Sequence, residues 1–206
     1  MIPFRSRLPS RPAVAPGAWG LTRVPLLLAA LFALLIPPLA AVCLVAVAIT
    51  LWFHRDPTRS PPPSGLVAPA DGRVSVIREE GERVRVGVFM NVTDVHVNRA
   101  PEAGTVSAVE HTPGKHLPAF SKESDRNERV TIDCGNYEVT LIAGAVARRI
   151  HPYVEAGDEL ERGDRIGHIS FGSRADVLLP PSYTLDDVRI ANGQRVRAGE
   201  TVIAAE

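Results

Sequence analysis

Two patterns of apolar residues divide the chain. Between residues 24 and 53 no residue is charged, whereas from residue 65 onward short runs alternate apolar and polar positions. An uncharged run of this length predicts a helical membrane segment, and an alternation with a period of two predicts β-strands. We therefore predict a mainly β domain that is preceded by an N-terminal hydrophobic helical membrane anchor.

The predicted anchor, residues 24–53, contains a proline pair, Pro37-Pro38, near its middle. At about 1.5 Å per residue the two halves are roughly 18 and 22 Å long, each shorter than a hydrocarbon core of about 30 Å. Two geometries stay open, a single kinked helix that spans the bilayer and a re-entrant hairpin. Trp19 and Trp52 lie near the two ends of the run, as interfacial aromatic residues do.

Proline-rich stretches flank the anchor on both sides. Residues 1–23 contain four arginines and no acidic residue, which predicts a basic disordered arm suited to anionic lipid headgroups. Residues 54–64 predict an extended linker, and the β domain then covers residues 65–206. Basic residues at both ends of the anchor favour a hairpin on a bacterial-type cell (inner) membrane, with the β domain on the cytoplasmic side.

Short alternating runs fill the predicted β domain. Gly, Asp, Asn and Pro separate them, as expected for strands that are joined by turns, and no long helical period appears after residue 54. The clearest runs are residues 73–77, 83–89, 129–132, 137–142 and 165–169.

An internal repeat lies near the C-terminal end. Gly157–Ile166 aligns with Gly193–Val202, and both copies place glycine, an aliphatic residue, glycine, an acid and an aliphatic residue at the same spacing. We interpret each copy as a hairpin with a glycine-bearing turn. The pattern resembles the half-motif of lipoyl- and biotinyl-type domains, so we expect a barrel-sandwich-like β domain with a duplicated hairpin half-motif.

Composition argues against several classes of partner. The formal net charge is zero, so no overall field attracts nucleic acid. The two cysteines, Cys43 and Cys134, form neither a disulfide framework nor a metal-ligand cluster. We therefore expect no nucleic-acid partner and no metal.

The candidate chemistry lies in a short turn, Phe171-Gly172-Ser173-Arg174. A Gly-Ser pair alone is typical of a loop, but several motifs precede this one in a fixed order. Together they resemble the short form of phosphatidylserine decarboxylase over about residues 67–179, and the ordered set is specific although each motif alone is weak. The motifs are residues 68–72, 90–101, 114–115, 127–129 and 147–150.

The resemblance implies a self-cleaving enzyme. The chain would cut itself between Gly172 and Ser173 into a β chain (1–172) and an α chain (173–206), which stay together as a heterodimer; a higher oligomer is left open. Ser173 would become a covalent pyruvoyl group that forms a Schiff base with phosphatidylserine. Carbon dioxide then leaves and phosphatidylethanolamine is released, by the same electron-sink logic that pyridoxal phosphate uses.

The resemblance also assigns roles to two further residues. Asp71 would orient and stabilise an imidazole during self-cleavage, and His96 would be the acid or base of the decarboxylation. Arg99 occupies the position at which long-form members carry a second histidine, and an arginine cannot act as a base near neutral pH. The base that activates Ser173 therefore stays open among His96, His151 and His168.

Basic residues in two further segments are candidates for contact with the lipid phosphate or the serine carboxylate. These candidates are Lys115, Lys122, Arg129, Arg148 and Arg149.

A second function class also fits the anchor and the repeat: a membrane-anchored barrel-sandwich adaptor or carrier module without catalysis. A carrier needs a lysine at a hairpin tip, and the turn at residues 171–174 has none. A denaturing gel separates the two classes, because the decarboxylase gives two bands and the adaptor gives one.

Overall fold

The computed structural model describes residues 13–115, 117, 126–144, 150–169 and 173–205. Among the candidate site residues, four lie outside the described residues: Gly172, Lys122, Arg148 and Arg149.

Two antiparallel helices form the N-terminal part of the fold, α1 (Ala18–Phe32) and α2 (Pro37–Phe53). The chain enters and leaves this helical hairpin at the same end, because Ala15 N donates a hydrogen bond of 2.7 Å to His54 O. Of the two geometries that the sequence left open, the structure therefore has the hairpin. Its outer surface is apolar, and Leu34 at the tip is 92% exposed.

The sequence explains where both helices begin and end. The proline pair opens α2 at its first turn, where a missing backbone N–H costs no hydrogen bond. Helix α1 begins at Ala18, before the predicted start at residue 24, because a single charge at Arg23 limits an apolar run but does not interrupt a helix. The helices contain 15 and 17 residues, and none in the described part of the chain is long and apolar enough to cross a membrane.

Fourteen short strands and one 3₁₀ turn (Leu185–Asp187) make up the rest of the described chain, which confirms the mainly β fold. The first seven strands are β1 (Leu66–Val67), β2 (Gly72–Glu80), β3 (Arg83–Phe89), β4 (Val97–Arg99), β5 (Gly104–Thr105), β6 (Ala108–Thr112) and β7 (Arg129–Asp133). The remaining seven are β8 (Glu138–Ile142), β9 (Ile150–Pro152), β10 (Glu159–Leu160), β11 (Arg165–Ile169), β12 (Arg174–Leu178), β13 (Arg195–Val196) and β14 (Val202–Ala204).

Seven of these strands form one antiparallel sheet in the order β13-β2-β3-β12-β8-β7-β6. Strand β12 lies in its middle, where Arg174 is opposite Phe89 of β3 on one side and Ile142 of β8 on the other. Smaller antiparallel sheets join β4, β11 and β9, and pair β1 with β14 and β5 with β10. Side chains from most of these strands bury one continuous apolar core, which includes Leu141 and Ile203.

The repeat exists in the structure, but the predicted hairpins are wrong. Strands β10 and β11 of the first copy pair with β5 and with β4 and β9, while β13 and β14 of the second copy pair with β2 and β1. The copies still match in detail: Gly163 N donates to Ala100 O and Gly199 N donates to Ala68 O, both at 2.9 Å. Both glycines have positive φ, 83° and 73°. The repeated element is therefore a turn between strands that pair elsewhere. The likeness to a barrel-sandwich stays a prediction.

The segment after α2, predicted to be a spacer, lies against the β domain. Asp56 is fully buried and contacts the guanidinium groups of Arg99 at 2.8 Å and Arg165 at 2.6 Å. Further along, Arg162 donates hydrogen bonds to the carbonyls of Pro62 and Pro63. Ionic and backbone contacts thus hold the base of the hairpin on the β domain.

Candidate active site

Ser173 lies at the entrance to the central strand β12 and is fully buried. Its carbonyl accepts a hydrogen bond of 2.9 Å from Met90 N. Its Oγ lies 4.0 Å from Met90 Sδ, a weak acceptor, which is the only partner that the described residues provide. The sheet therefore fixes the backbone of Ser173 and leaves its hydroxyl without a strong hydrogen bond.

His96 lies beside the other end of the same turn. Its carbonyl accepts a hydrogen bond of 3.2 Å from Ile169 N, the last residue of β11. The chain thus enters residues 170–172 beside His96 and leaves them beside Met90. The backbone contacts thus place the two predicted residues, His96 and Ser173, at the two ends of residues 170–172.

The protonation state of His96 follows from its contacts. Its Nδ1 lies 2.9 Å from Asp94 O, and because a carbonyl can only accept, Nδ1 carries the ring proton. Burial lowers the pKa of His96 from 6.5 to about 4, so the ring is neutral at pH 7. Its Nε2 is buried without a hydrogen-bond partner among the described residues. His96 therefore presents an unused lone pair, as a general base requires.

An aromatic side chain from the helical hairpin packs against this imidazole. Phe53, the last residue of α2, is 2% exposed, and its ring centroid lies 4.3 Å from that of His96. The hairpin therefore forms one wall of the candidate site. Sequence reasoning missed Phe53, because an apolar residue at the end of an apolar run gives no separate signal.

His168 lies nearby in a second aromatic cluster. Its Nδ1 lies 2.7 Å from Tyr153 Oη, and its ring stacks on His151 with centroids 4.5 Å apart. Burial raises the pKa of Tyr153 and lowers the pKa of His168 to about 3, so both are neutral. When the phenol donates to Nδ1, Nε2 carries the ring proton, and His168 then has no free acceptor nitrogen. His151 is exposed.

Asp71 forms ionic contacts away from these histidines. Its two carboxylate oxygens accept hydrogen bonds of 2.9 and 2.7 Å from Arg59 Nη2, and Oδ1 also accepts one from Ala198 N. Its described contacts include neither His96 nor Ser173. The orienting role expected of Asp71 stays a prediction.

Arg99, at the position of the second histidine of long-form members, is a buried structural residue. Its guanidinium donates to Asp56 Oδ1 at 2.8 Å and to the carbonyls of Gly163 and Pro57. The arginine therefore connects the segment after the hairpin with the repeat. The hydrogen bonds described for its guanidinium all go to a carboxylate or a carbonyl oxygen.

The described candidates for substrate contact lie on other elements. Lys115 forms an isolated bridge with Asn127. Arg129 lines a polar cavity of about 390 Å³ on the large sheet, together with Arg85 and Asp176. The described contacts of these two residues do not include Ser173, and their role toward a lipid stays a prediction. No group of three or more His, Cys, Asp or Glu side chains within the described ranges could hold a metal ion.

The fold and the site define a class: a β enzyme in which a buried serine precedes the central strand and a buried, neutral histidine contacts the strand end before it. Comparison with protein families places the chain within that class. The family model for phosphatidylserine decarboxylase matches residues 47–204. The chain belongs to the phosphatidylserine decarboxylase family, a family of carboxy-lyases.

Individual relatives agree with this assignment. A Halobacterium salinarum protein named archaetidylserine decarboxylase proenzyme is 64% identical over 168 residues, which cover 81% of this chain and 86% of the relative. Proteins named phosphatidylserine decarboxylase proenzyme are 53% identical in Thermobifida fusca (78% and 76% covered) and 51% identical in Streptomyces avermitilis (74% and 72% covered).

Proposed function

We propose that this chain cuts itself before Ser173 and then decarboxylates a serine-headed membrane phospholipid. The observation that carries the proposal is the burial of both Ser173 and His96 at the two ends of residues 170–172, with a neutral imidazole whose Nε2 has no hydrogen-bond partner among the described residues. The word proenzyme in the names of the relatives supports the self-cleavage.

The proposed cleavage begins when Ser173 Oγ loses its proton to His96 Nε2 and attacks the carbonyl carbon of Gly172. The peptide C–N bond breaks, the Ser173 nitrogen takes the proton back, and an ester replaces the amide. A base then removes the Cα proton of Ser173, and the Gly172 carboxylate leaves with the electrons of its C–O bond. The dehydroalanine that remains tautomerises, adds water and loses ammonia, which gives the pyruvoyl group.

The surroundings of Ser173 fit such a group. The residue is fully buried and its described neighbour is the thioether of Met90, so water has little access to a reactive carbonyl. The pyruvoyl group, once formed, supplies the electron sink for loss of carbon dioxide. His96 supplies proton transfer at the carbon that loses the carboxylate, since Asp94 O fixes its Nδ1 and leaves Nε2 for the reaction.

His96 is the favoured base for both stages. The phenol of Tyr153 hydrogen-bonds to His168, and His151 is exposed in the middle of β9. Asp71, which the resemblance assigns to the cleavage stage, is held by its ion pair with Arg59 and by the hydrogen bond that it accepts from Ala198 N.

The names of the relatives support a serine-headed phospholipid as substrate. Archaetidylserine and phosphatidylserine, which these names contain, share the serine group and differ in the lipid that carries it. The helical hairpin supports attachment to a membrane, since exposed apolar side chains cover both of its helices. The β domain, of barrel-sandwich type, would lie at the cytoplasmic face of the cell membrane, with anionic lipids around the hairpin.

Mass spectrometry of the purified protein tests the proposal. We expect an α fragment of residues 173–206 with a blocked N-terminus, and a single uncut chain for Ser173→Ala. Purified wild-type protein should release carbon dioxide from phosphatidylserine. An intact wild-type chain without this activity would support the adaptor module instead.

A further inference from the structure

A pocket lined by arginines lies at the base of the helical hairpin, with a volume of about 470 Å³. Its walls include Arg55 after α2, Thr93 and Asp94 from the loop before β4, and Arg195 and Arg197 at β13. None of these arginines was singled out by the sequence as a contact to substrate. We propose that this arginine pocket binds the phosphodiester group of the lipid substrate, an inference that rests on the proposed function.

The position of the arginine pocket fits the headgroup layer of a membrane. Trp19, near the start of α1, and Trp52, near the end of α2, lie at the same end of the antiparallel hairpin, 60% and 47% exposed. Exposed tryptophans at one level are typical of a membrane–water interface. The guanidinium of Arg55 lies 4.7 Å from the ring centroid of Trp52, so the pocket lies at that level.

The arginine side chains are accessible to a ligand. The side chains of Arg195 and Arg197 are 64% and 74% exposed, and the described ion pair of Arg197 is a long one, 3.9 Å to Glu200. Arg55 is fixed by hydrogen bonds to the carbonyls of Trp52 and Thr93. One guanidinium held by backbone carbonyls and two exposed ones, of which Arg195 also donates to Asp94 Oδ1 at 2.8 Å, can surround a phosphate group with charge-assisted hydrogen bonds.

The charges at the pocket leave a small positive excess. Asp71 is neutralised by Arg59, while Asp94 accepts hydrogen bonds from Asn91 N and Arg195. With Glu200 included, three carboxylates face four arginines. One positive charge remains, which matches the single negative charge of a phosphodiester.

Part of the wall of the arginine pocket lies only two to three residues before the candidate base, His96, in the sequence. Thr93 and Asp94 form part of its wall, and Asp94 O accepts the hydrogen bond from His96 Nδ1. A phosphate bound at this wall directs the serine end of the same lipid toward the loop before β4, which carries His96. The pocket would thus hold the part of the substrate that does not react.

Steady-state kinetics on phosphatidylserine in mixed micelles test the proposal with Arg197→Gln and with Arg195→Gln/Arg197→Gln. We expect the KM to rise by about tenfold for each lost charge-assisted contact, with kcat within about twofold. Self-cleavage should stay complete. The matched control, Arg78→Gln/Arg189→Gln, removes two arginines outside the pocket and should keep the wild-type KM. An unchanged KM in the double variant, or an equal rise in the control, would overturn the proposal.

A binding measurement separates this proposal from the proposed function. In Trp19→Phe protein, Trp52 is the only tryptophan, and its fluorescence reports on Arg55 directly above its ring. Glycerophosphoserine should change this fluorescence saturably, with an affinity that Arg197→Gln weakens by about tenfold. Such binding without any decarboxylation would reject the proposed function and keep the pocket. Equal affinities for inorganic phosphate and glycerophosphoserine would show a simple anion site and reject the lipid assignment, as would the absence of any change.

Discussion

At the scale of single residues, two groups fix the imidazole of His96. The backbone carbonyl of Asp94 determines which nitrogen carries the proton, and the ring of Phe53 covers one face. Burial then keeps the ring neutral, with its pKa at about 4. These three effects produce an imidazole that is neutral at pH 7 without a charged partner, in contrast to a relay in which a carboxylate contacts the histidine, and this state suits the proposed role of His96 as a base.

His96→Gln should therefore neither cleave nor decarboxylate, because the same Nε2 serves both stages. SDS gels and carbon dioxide release measure the two stages, and circular dichroism checks the fold. His111→Gln is the matched control, since His111 is exposed and pairs with Glu128, the residue before β7. This variant should both cleave itself and decarboxylate the lipid. If His96→Gln is cut normally but inactive, cleavage uses another base, and normal activity would remove His96 from the site.

The buried histidine also predicts how stability depends on pH. Folding lowers the pKa of His96 from 6.5 to about 4, so between these values the unfolded chain binds a proton that the folded chain does not. Its contribution is complete above pH 6.5 and is lost as the pH falls toward 4, by about 3 kcal/mol at about 1.4 kcal/mol per pKa unit.

Urea unfolding of the uncut variant Ser173→Ala measures this effect between pH 7 and pH 4. Its free energy of unfolding should fall more steeply than that of Ser173→Ala/His96→Gln. The pKa of His168 is also lowered by burial, but this residue is present in both proteins. Its contribution to the pH dependence of the free energy of unfolding therefore cancels when the two variants are compared. Equal slopes would mean that His96 is not buried in its neutral form.

At the scale of secondary-structure elements, the helical hairpin contributes to the candidate site as well as presenting an apolar outer surface. Phe53 ends α2 against His96, and Asp56 follows one turn later against Arg99 and Arg165. Helix, aromatic contact and buried ion pair therefore lie within four consecutive residues. A substitution at the base of the hairpin can therefore alter the position of His96 directly, without any change in the β core.

Phe53→Leu should lower the kcat of decarboxylation by about tenfold with little change in KM, because a misoriented base loses catalytic geometry. The acid limb of the kcat profile should also move upward from about pH 4, since a less buried imidazole has a pKa nearer 6.5. Phe32→Leu, which alters the half-buried phenylalanine at the end of α1, is the control. A pH profile identical to wild type would exclude a positioning role for Phe53.

Deletions in the hairpin should have two distinct outcomes. From the sequence alone, removal of residues 1–60 is expected to release a soluble protein that still cleaves itself. The structure changes this expectation, because the deletion also removes Phe53, Asp56 and Arg59. Breaking a buried ion pair by removing one partner costs about 3–5 kcal/mol, so we expect this protein to remain uncut and poorly folded.

A shorter deletion, which replaces residues 22–47 with a Gly-Ser loop, keeps the base of the hairpin. We expect this protein to leave the membrane fraction and still to cleave itself. Cell fractionation followed by SDS gels measures both properties. Complete cleavage of the longer deletion would show that the base of the hairpin is dispensable.

The sequence predicts local features of this fold better than pairings between distant segments. Runs 83–89 and 165–169 coincide with β3 and β11, because alternation is a property of adjacent residues. The repeat was recognised, but its strands pair with segments far along the chain, which no local pattern reveals. Similarly, the resemblance brought His96 and Ser173 together, whereas Phe53 and the arginine pocket became visible only once the hairpin base met the β domain.

At the scale of the whole molecule, the position of the cut explains how the product can stay intact. The proposed α chain begins with β12, which pairs with β3 and β8 in the middle of the largest sheet. The same chain contributes β13 and β14, which pair with β2 and β1. Each of its strands therefore lies against a strand of the β chain.

The two chains of the cleaved protein should consequently elute together in size-exclusion chromatography and separate only when the fold is lost. High salt should not release the α chain, because backbone ladders and apolar burial hold it rather than surface charge. Elution profiles in 1 M NaCl and in denaturing urea, followed by mass spectrometry of the fractions, measure this. Release of the α chain by salt alone would contradict the observed sheet order.

The central place of β12 also orders events in time. Ser173 meets Met90 through the pairing of β12 with β3, and Ile169 meets His96 at the end of β11, beside β4. These strands are distant in the chain, so the groups that make the cut assemble only after the sheets have closed. In the proposed mechanism, a chain that misfolds keeps its peptide bond and never acquires a reactive carbonyl. Maturation thus depends on correct folding, so only a folded chain becomes able to act on a lipid.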